Sequence, residues 1–219
     1  MSTARPDIVV AIDGPSGSGK SSTSRGVADR LGLRYLDTGA QFRAITHWMI
    51  THDVDVTDPA AVAARSQEPV IESGTDPLAP SITVDGHDVS VAIRGEAVTA
   101  AVSPVSAVPA VRSRLLSLQR EIIGTGGIVV EGRDIGSVVA PDATVKIYLS
   151  ADAEARAARR AAEEGGSDLA ATQASLAARD RIDSGRATAP LTIADGAVHL
   201  DSTFLTLEQV IDEIVALVP

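Results

Sequence analysis

Three features of the sequence predict an α/β fold. Short β-branched runs alternate with helical patterns, a glycine-rich octet separates the first run from the first helix, and a proline-broken stretch at 68–96 interrupts the rhythm. Strands separated by helices return in one direction, so the alternation implies a central, mainly parallel sheet flanked by helices. The interruption reads as a small antiparallel insert. A polar, glycine-containing segment between two later helices reads as the tip of a helical lid. The expected layout is a single domain over 1–219. Its core takes about 1–66, 97–155 and 190–219, the insert about 67–96, and the lid about 156–189.

The elements follow in chain order. Asp7 to Ile12 is a β-branched run ended by Asp13-Gly14, the pattern of a buried strand. A helical pattern runs from Lys20 to Leu31 and stops at Gly32. Tyr35-Leu36 is a short strand candidate, and Gly39 to Ile50 is helical. In the insert, Pro69, Pro77 and Pro80 bracket the alternation of Ser81 to Val84, and Asp85-Gly86 is a hairpin turn signal. Ile128 to Glu131 and Thr144 to Leu149 are further strands, the second leading into a helix from about Asp152 to Glu164. Glu163 to Ser167, with Gly165 and Gly166, is the hinge. Val198 to Leu200 is the last strand. Thr206 to Leu217 is the last helix, with apolar residues at Leu207, Val210, Ile211, Ile214 and Leu217.

Bulk composition narrows the function. A chain of 219 residues that is 44% hydrophobic can bury a sizeable core. Without cysteine it has no disulfide and no thiolate chemistry. A net charge of −10 argues against broad binding to nucleic acid. No long apolar run or leader pattern stands out, so the expectation is a cytoplasmic protein, off the membrane and by default a monomer. Lys20 and Lys146 are the only lysines, so position rather than number must give the basic residues meaning.

Gly14-Pro15-Ser16-Gly17-Ser18-Gly19-Lys20-Ser21 fits G-x-x-x-x-G-K-[ST], directly after a strand and before a helix. Glycines let successive N–H groups close on an anion, and the helix N-terminus adds positive charge. With Ser22, this loop is the expected ATP site. Lys20 bridges the β- and γ-phosphates, and the Ser21 hydroxyl ligates Mg²⁺. A P-loop names the donor and not the reaction. GTPase switches read guanine with an Asn-Lys-x-Asp segment, and this chain has no asparagine.

The acceptor side has to come from elsewhere. Asp37 and Thr38 can cap the helix that carries Arg43, whose fork suits a phosphate. Gly132 and Gly136 flank Arg133 and Asp134 at the same sheet edge, a placement hard to motivate by packing; a salt-bridged turn is the alternative. Arg156, Arg159 and Arg160 precede the hinge, and Arg179, Arg181 and Arg186 follow it with Asp183. Arginines on both limbs of a helical hairpin are what closure over polyphosphate requires. Pairing within the helices, with Glu154, Glu163 and Asp180, is the competing account and suits Arg159 and Arg181. The four histidines show no ligand spacing, and Phe42 and Trp48 fall beside Ile45 and Met49 as core residues.

Taken in order, Ile12 to Lys20, Leu36 to Ala40 with Arg43, Gly132 to Asp134, Pro141 to Ile147, Arg186 to Leu191 and Asp201 to Thr203 resemble the segments of bacterial cytidylate kinases over essentially the full length. The resemblance implies a P-loop nucleoside monophosphate kinase fold and transfer from ATP to CMP or dCMP with Mg²⁺. It implies that Arg43, Arg133 and Arg186 hold the acceptor phosphate. Ser103, Arg112 and Asp134 match positions that read cytosine, and Arg179 and Asp183 match sugar contacts. Lys20, Arg133, Arg156, Arg160 and Arg186 form the expected catalytic set. Phe42 stands where the family usually has tyrosine, and Gly95 breaks its pattern after Ile93-Arg94. The competing readings are a P-loop kinase for another small acceptor, such as UMP, and a nucleotide-binding module without transfer.

Overall fold

A computed structural model describes residues 7–163, 166, 168–186 and 188–219. Glu164, Gly165 and Ser167 of the expected hinge lie outside these residues. The chain forms two compact units. One combines the chain up to Tyr35 with Thr125–Pro219, and the other is Leu36–Gly124.

The first unit is built on a parallel sheet. β1 (Val9–Asp13) pairs with β6 (Ile128–Gly132) on one side and β7 (Val145–Ser150) on the other, and β7 pairs with β8 (Val198–Asp201). β2 (Arg34–Asp37) lies beside β6, giving the order β2-β6-β1-β7-β8, and carries the chain into the second unit. Val10, Ala11, Ile12, Val129, Val130, Ile147 and Leu149 are buried, as near-continuous apolar runs demand of strands covered on both faces. α1 (Lys20–Leu31) ends at Gly32 in the left-handed conformation. α8 (Leu207–Ala216) starts with a Thr206–Gln209 capping box and buries Val210, Ile211 and Ile214. Leu207 and Leu217, placed on the same apolar face by the sequence pattern, are substantially exposed. α6 (Ala153–Glu163) and α7 (Leu169–Gly185) pack on each other in the expected lid region.

The second unit has its own core. α2 (Thr38–Thr51) contributes Ala44, Ile45, Trp48 and Met49, packed with Val62 from α3 (Pro59–Arg65) and with Ile71, Ile82 and Val84. The insert is antiparallel: β3 (Ile71–Ser73), β4 (Ile82–Val84) and β5 (His87–Asp88) form one small sheet. Asp85 and Gly86 both take positive φ, the geometry of a two-residue hairpin turn. The Asp85 carboxylate then accepts from Trp48 Nε1 and the Val70 N–H, each at 2.8 Å, pinning the turn to α2. α4 (Glu96–Ala107) and α5 (Pro109–Ile123) occupy a stretch without a clear sequence pattern. Pro104 sits inside α4 and Pro109 opens α5, so residues that look like breakers are accommodated within and between two helices.

Candidate active site

The P-loop joins β1 to α1 at the carboxyl edge of the sheet. Gly14 has φ +152°, and a Cβ there would stand 2.0 Å from the Leu149 carbonyl oxygen. Only glycine lets the loop leave the sheet this close to β7. Gly19 is left-handed and starts α1 without a side-chain cap, so the first-turn N–H groups stay with the loop. Lys20 is buried, and its ammonium donates to the Pro15 carbonyl at 2.7 Å. Burial, followed by the like charge of Arg133, pushes its pKa down to about 7 against the pull of Glu131, Asp13 and Asp180.

Two acidic residues at the strand ends support this loop. Glu131, 4% exposed, accepts from the Ser21 hydroxyl at 3.1 Å and from the Tyr35 hydroxyl. Asp13 accepts from the N–H groups of Ile135 (2.7 Å) and Gly136 (2.8 Å). Burial raises the Asp13 pKa to about 6, although those two bonds and Lys20 favour the carboxylate.

Arginines surround the same loop. Arg133 donates to the Gly14 carbonyl (2.9 Å), the Ser16 hydroxyl (2.6 Å) and Asp183 Oδ2 (2.9 Å). Arg186 lies 3.6 Å from the other Asp183 oxygen. Arg156 donates to the Ser16 carbonyl (3.0 Å) and to Asp180, whose second oxygen accepts from the Ser16 N–H (3.2 Å). Burial and the nearby charges of Arg133 and Arg160 lower the Arg179 pKa to about 10, although Asp183 and Asp180 oppose them. Among the described residues, the Nε groups of Arg156 and Arg179 are buried without a hydrogen-bond partner. Cations crowded at cost to their own ionisation, with donors unspent, suit a polyanion.

Arg159 reaches beyond its own helix. It donates to the Ser18 carbonyl (3.3 Å) and to the Ser202 hydroxyl and carbonyl (2.9 and 2.6 Å), tying α6 to the P-loop and to the segment after β8. Beside it lies a cavity of about 330 Å³. Ser18, Ser22, Thr23, Arg159 and Ser202 form its polar side, and Ala162, Leu205, Leu207 and Val210 its apolar side.

Asp134, buried just after β6, belongs to the first unit, and Asp37, Thr38, Arg43, Ser103 and Arg112 to the second. Asp37 caps α2 by accepting from the Ala40 N–H at 2.9 Å, and Thr38 is the first residue of that helix. Arg43 donates to the Ile93 carbonyl (3.1 Å) and to Thr99 Oγ1 (3.0 Å) on α4. Arg112 on α5 is buried, donates to the Ser106 carbonyl (3.2 Å) and lies over the Phe42 ring at 5.3 Å. Ser106 donates in turn to the Ser103 carbonyl at 2.8 Å. Arg43, Ser103 and Arg112 thus share one cluster of α2, α4 and α5.

The family model described as cytidylate kinase matches residues 10–219. The chain belongs to the cytidylate kinase family. A relative from Streptomyces griseus subsp. griseus, a cytidylate kinase, is 61% identical over 220 residues, covering 100% of this chain and 95% of its own. Another, from Streptomyces avermitilis, is 58% identical over 97% of this chain and 93% of its own, and carries the same name. A solved structure of an uncharacterized protein from Eubacterium ventriosum is 11% identical with a TM-score of 0.52 over 96% of this chain and 97% of that one, a likeness of fold.

Against this family background, the residues that sequence reading passed over are those that hold others in place. Glu131 and Asp13 were visible only as acidic ends of strands. Gln41, fully buried, donates to the Ser73 hydroxyl at 3.0 Å while its amide oxygen has no partner. Buried polar residues of this kind carry no motif; an acidic residue at the carboxyl end of a buried parallel strand is the one signal that could have found the first two.

Proposed function

We infer that this chain transfers the γ-phosphoryl group of ATP to CMP or dCMP, giving ADP and CDP or dCDP. Membership of the family, with relatives named cytidylate kinase at up to 61% identity, carries the reading. The arginine cluster around a complete P-loop supports it chemically. The triphosphate lies along Gly14–Ser22, and the purine occupies the cavity beside Arg159. Lys20, Arg156 and Arg160 neutralise the transferring group. Arg43, Arg133 and Arg186 hold the acceptor phosphate, with Arg179 and Asp183 on the sugar.

No general base of special pKa is needed, because the acceptor phosphate is already an anionic nucleophile at neutral pH. Catalysis is then alignment plus charge neutralisation. Ser21 and Glu131 offer hard oxygen donors beside the phosphate loop, a set suited to Mg²⁺. Bound there, Mg²⁺ supplies charge neutralisation on the phosphates. A carboxylate at Asp134 accepts and suits the cytosine amino group, whereas Arg112 only donates and suits N3 or O2, with Ser103 completing the set. Uracil reverses the first of these demands and leaves buried groups unpaired.

Residues 156–189 act as a lid that closes over the phosphates, and the working form is a cytoplasmic monomer. Its small size and acidic charge support this form. Among the described residues no helix is long and apolar enough to cross a membrane. An ADP-release assay across CMP, dCMP, UMP and AMP tests the reading. CMP and dCMP should exceed UMP and AMP by about tenfold or more in kcat/KM. Preference for UMP or AMP would overturn it.

A further inference from the structure

β1 and β6 run in register, so Asp13 lies opposite Gly132, the residue before Arg133 and Asp134. Asp13 is 3% exposed at the middle of the sheet's carboxyl edge. After Asp134 the chain makes one turn of π-helix, Ile135–Val139, closed by bonds from the Val139 and Ala140 N–H groups to the carbonyls of Asp134 and Ile135. The first N–H groups of such a turn have no partner within it and need an external acceptor. An aspartate just ahead of a helix ordinarily provides one. Asp134 does not, for its side chain makes no capping bond. The two Asp13 oxygens do so from the neighbouring strand, one to Ile135 N and one to Gly136 N.

We propose that Asp13 is the positioning residue that fixes Arg133 and Asp134 against the phosphate loop. Its two N–H bonds hold the chain just after the pair. The next residue, Gly14, accepts from Arg133 Nη1 through its carbonyl, and Ser16 accepts from Nη2. Adjacent residues of one strand end thus grip both the backbone and the guanidinium of the Gly132–Gly136 segment.

The space is fitted to this contact. A Cβ on Gly136 would stand 3.4 Å from Asp13 Oδ2, 3.3 Å from Lys146 Cδ and 3.2 Å from Ala194 Cβ. Keeping a carboxylate buried here disfavours its ionised form, as the raised pKa records, so a packing role alone would be filled better by an apolar residue.

Asp13→Asn tests the proposal, which rests on Arg133 as a ligand of the acceptor phosphate. The amide keeps the shape, but its oxygen can accept from one N–H while its NH₂ confronts the other. One orphaned buried donor should lower kcat/KM for CMP by roughly tenfold to a hundredfold. ATP affinity, read by direct titration, should stay within about threefold, and in an Arg133→Ala background the same substitution should cost at least about threefold less than in the parent, with only Asp134 left to be displaced. Equal losses for ATP and CMP, or an undiminished cost without Arg133, would assign Asp13 to general stability and overturn the proposal. Should Asp13→Asn not fold, Gly136→Ala presses on the same contact and must show the same bias against CMP. If Arg133→Ala alone spares CMP kinetics, the reading of Arg133 fails, separately from the Asp13 result.

Discussion

The P-loop end of the first unit and the α2–α4–α5 cluster of the second handle charge by different means. Around the P-loop, cations are crowded until their own ionisation suffers: Lys20 is held near pKa 7 and Arg179 near 10. Their partners are backbone carbonyls of the loop and carboxylates of α7. In the second unit the bonds described for Arg43 and Arg112 run to the carbonyls of Ile93 and Ser106 and to the Thr99 hydroxyl. The first arrangement gains when a polyanion arrives. The second holds its described donors on neutral acceptors, and there Arg112 suits choosing among uncharged bases while Arg43 is proposed for the acceptor phosphate. ATP binding and the choice of base should therefore separate at Arg112, and variants test that.

Lys20→Ala should have the largest effect. Removing the buried ammonium from the transferring phosphate should lower kcat by about a thousandfold or more. CMP binding, measured by titration, should persist, and the melting temperature should not fall, because a desolvated charge has been removed from the folded state. A variant with a tenth of normal turnover would break the comparison on its donor side.

Arg156→Ala and Arg160→Ala should follow, each lowering kcat by roughly tenfold to a hundredfold while CMP affinity changes little, since these charges matter most during transfer. A loss confined to CMP binding would move both arginines to the acceptor phosphate.

The smallest effect is on pH. Free Lys20 titrates near pH 7 because burial and Arg133 disfavour its charge. A bound triphosphate raises that pKa, so the complex holds more protons than the free enzyme above about pH 7. ATP affinity should therefore fall by up to roughly tenfold as pH rises from about 7 to 8.5, with proton uptake on binding. Calorimetry in buffers of different ionisation enthalpy reads that uptake directly. No uptake at about pH 8 would show that Lys20 is already fully charged in the free protein.

The two regions also differ in how far the sequence exposed them. The strand–loop–helix from Val9 to Leu31 was legible to within a residue or two, because a contiguous octet and a period-matched helix encode it locally. The Asp85-Gly86 hairpin was legible for the same reason. Ser103 and Arg112 could be named only through family resemblance. The helix of Ser103 is Ala- and Val-rich with Pro104 inside it, and that of Arg112 opens on Pro109, so breaker-like residues obscure both. The reach of Arg159 was not legible because the acceptors described for it, Ser18 and Ser202, are 141 and 43 residues away. Asp13 and Glu131 were hidden because holding another group in place leaves no spacing to read.

Arg112→Met tests the separation of the two tasks most directly. Methionine keeps an unbranched stem over the Phe42 ring and removes every donor. Steady-state kinetics with CMP, together with direct titration of ATP, should show kcat/KM for CMP falling about tenfold or more while ATP affinity stays within about twofold. A parallel loss of ATP affinity, or CMP kinetics left unchanged, would contradict the account.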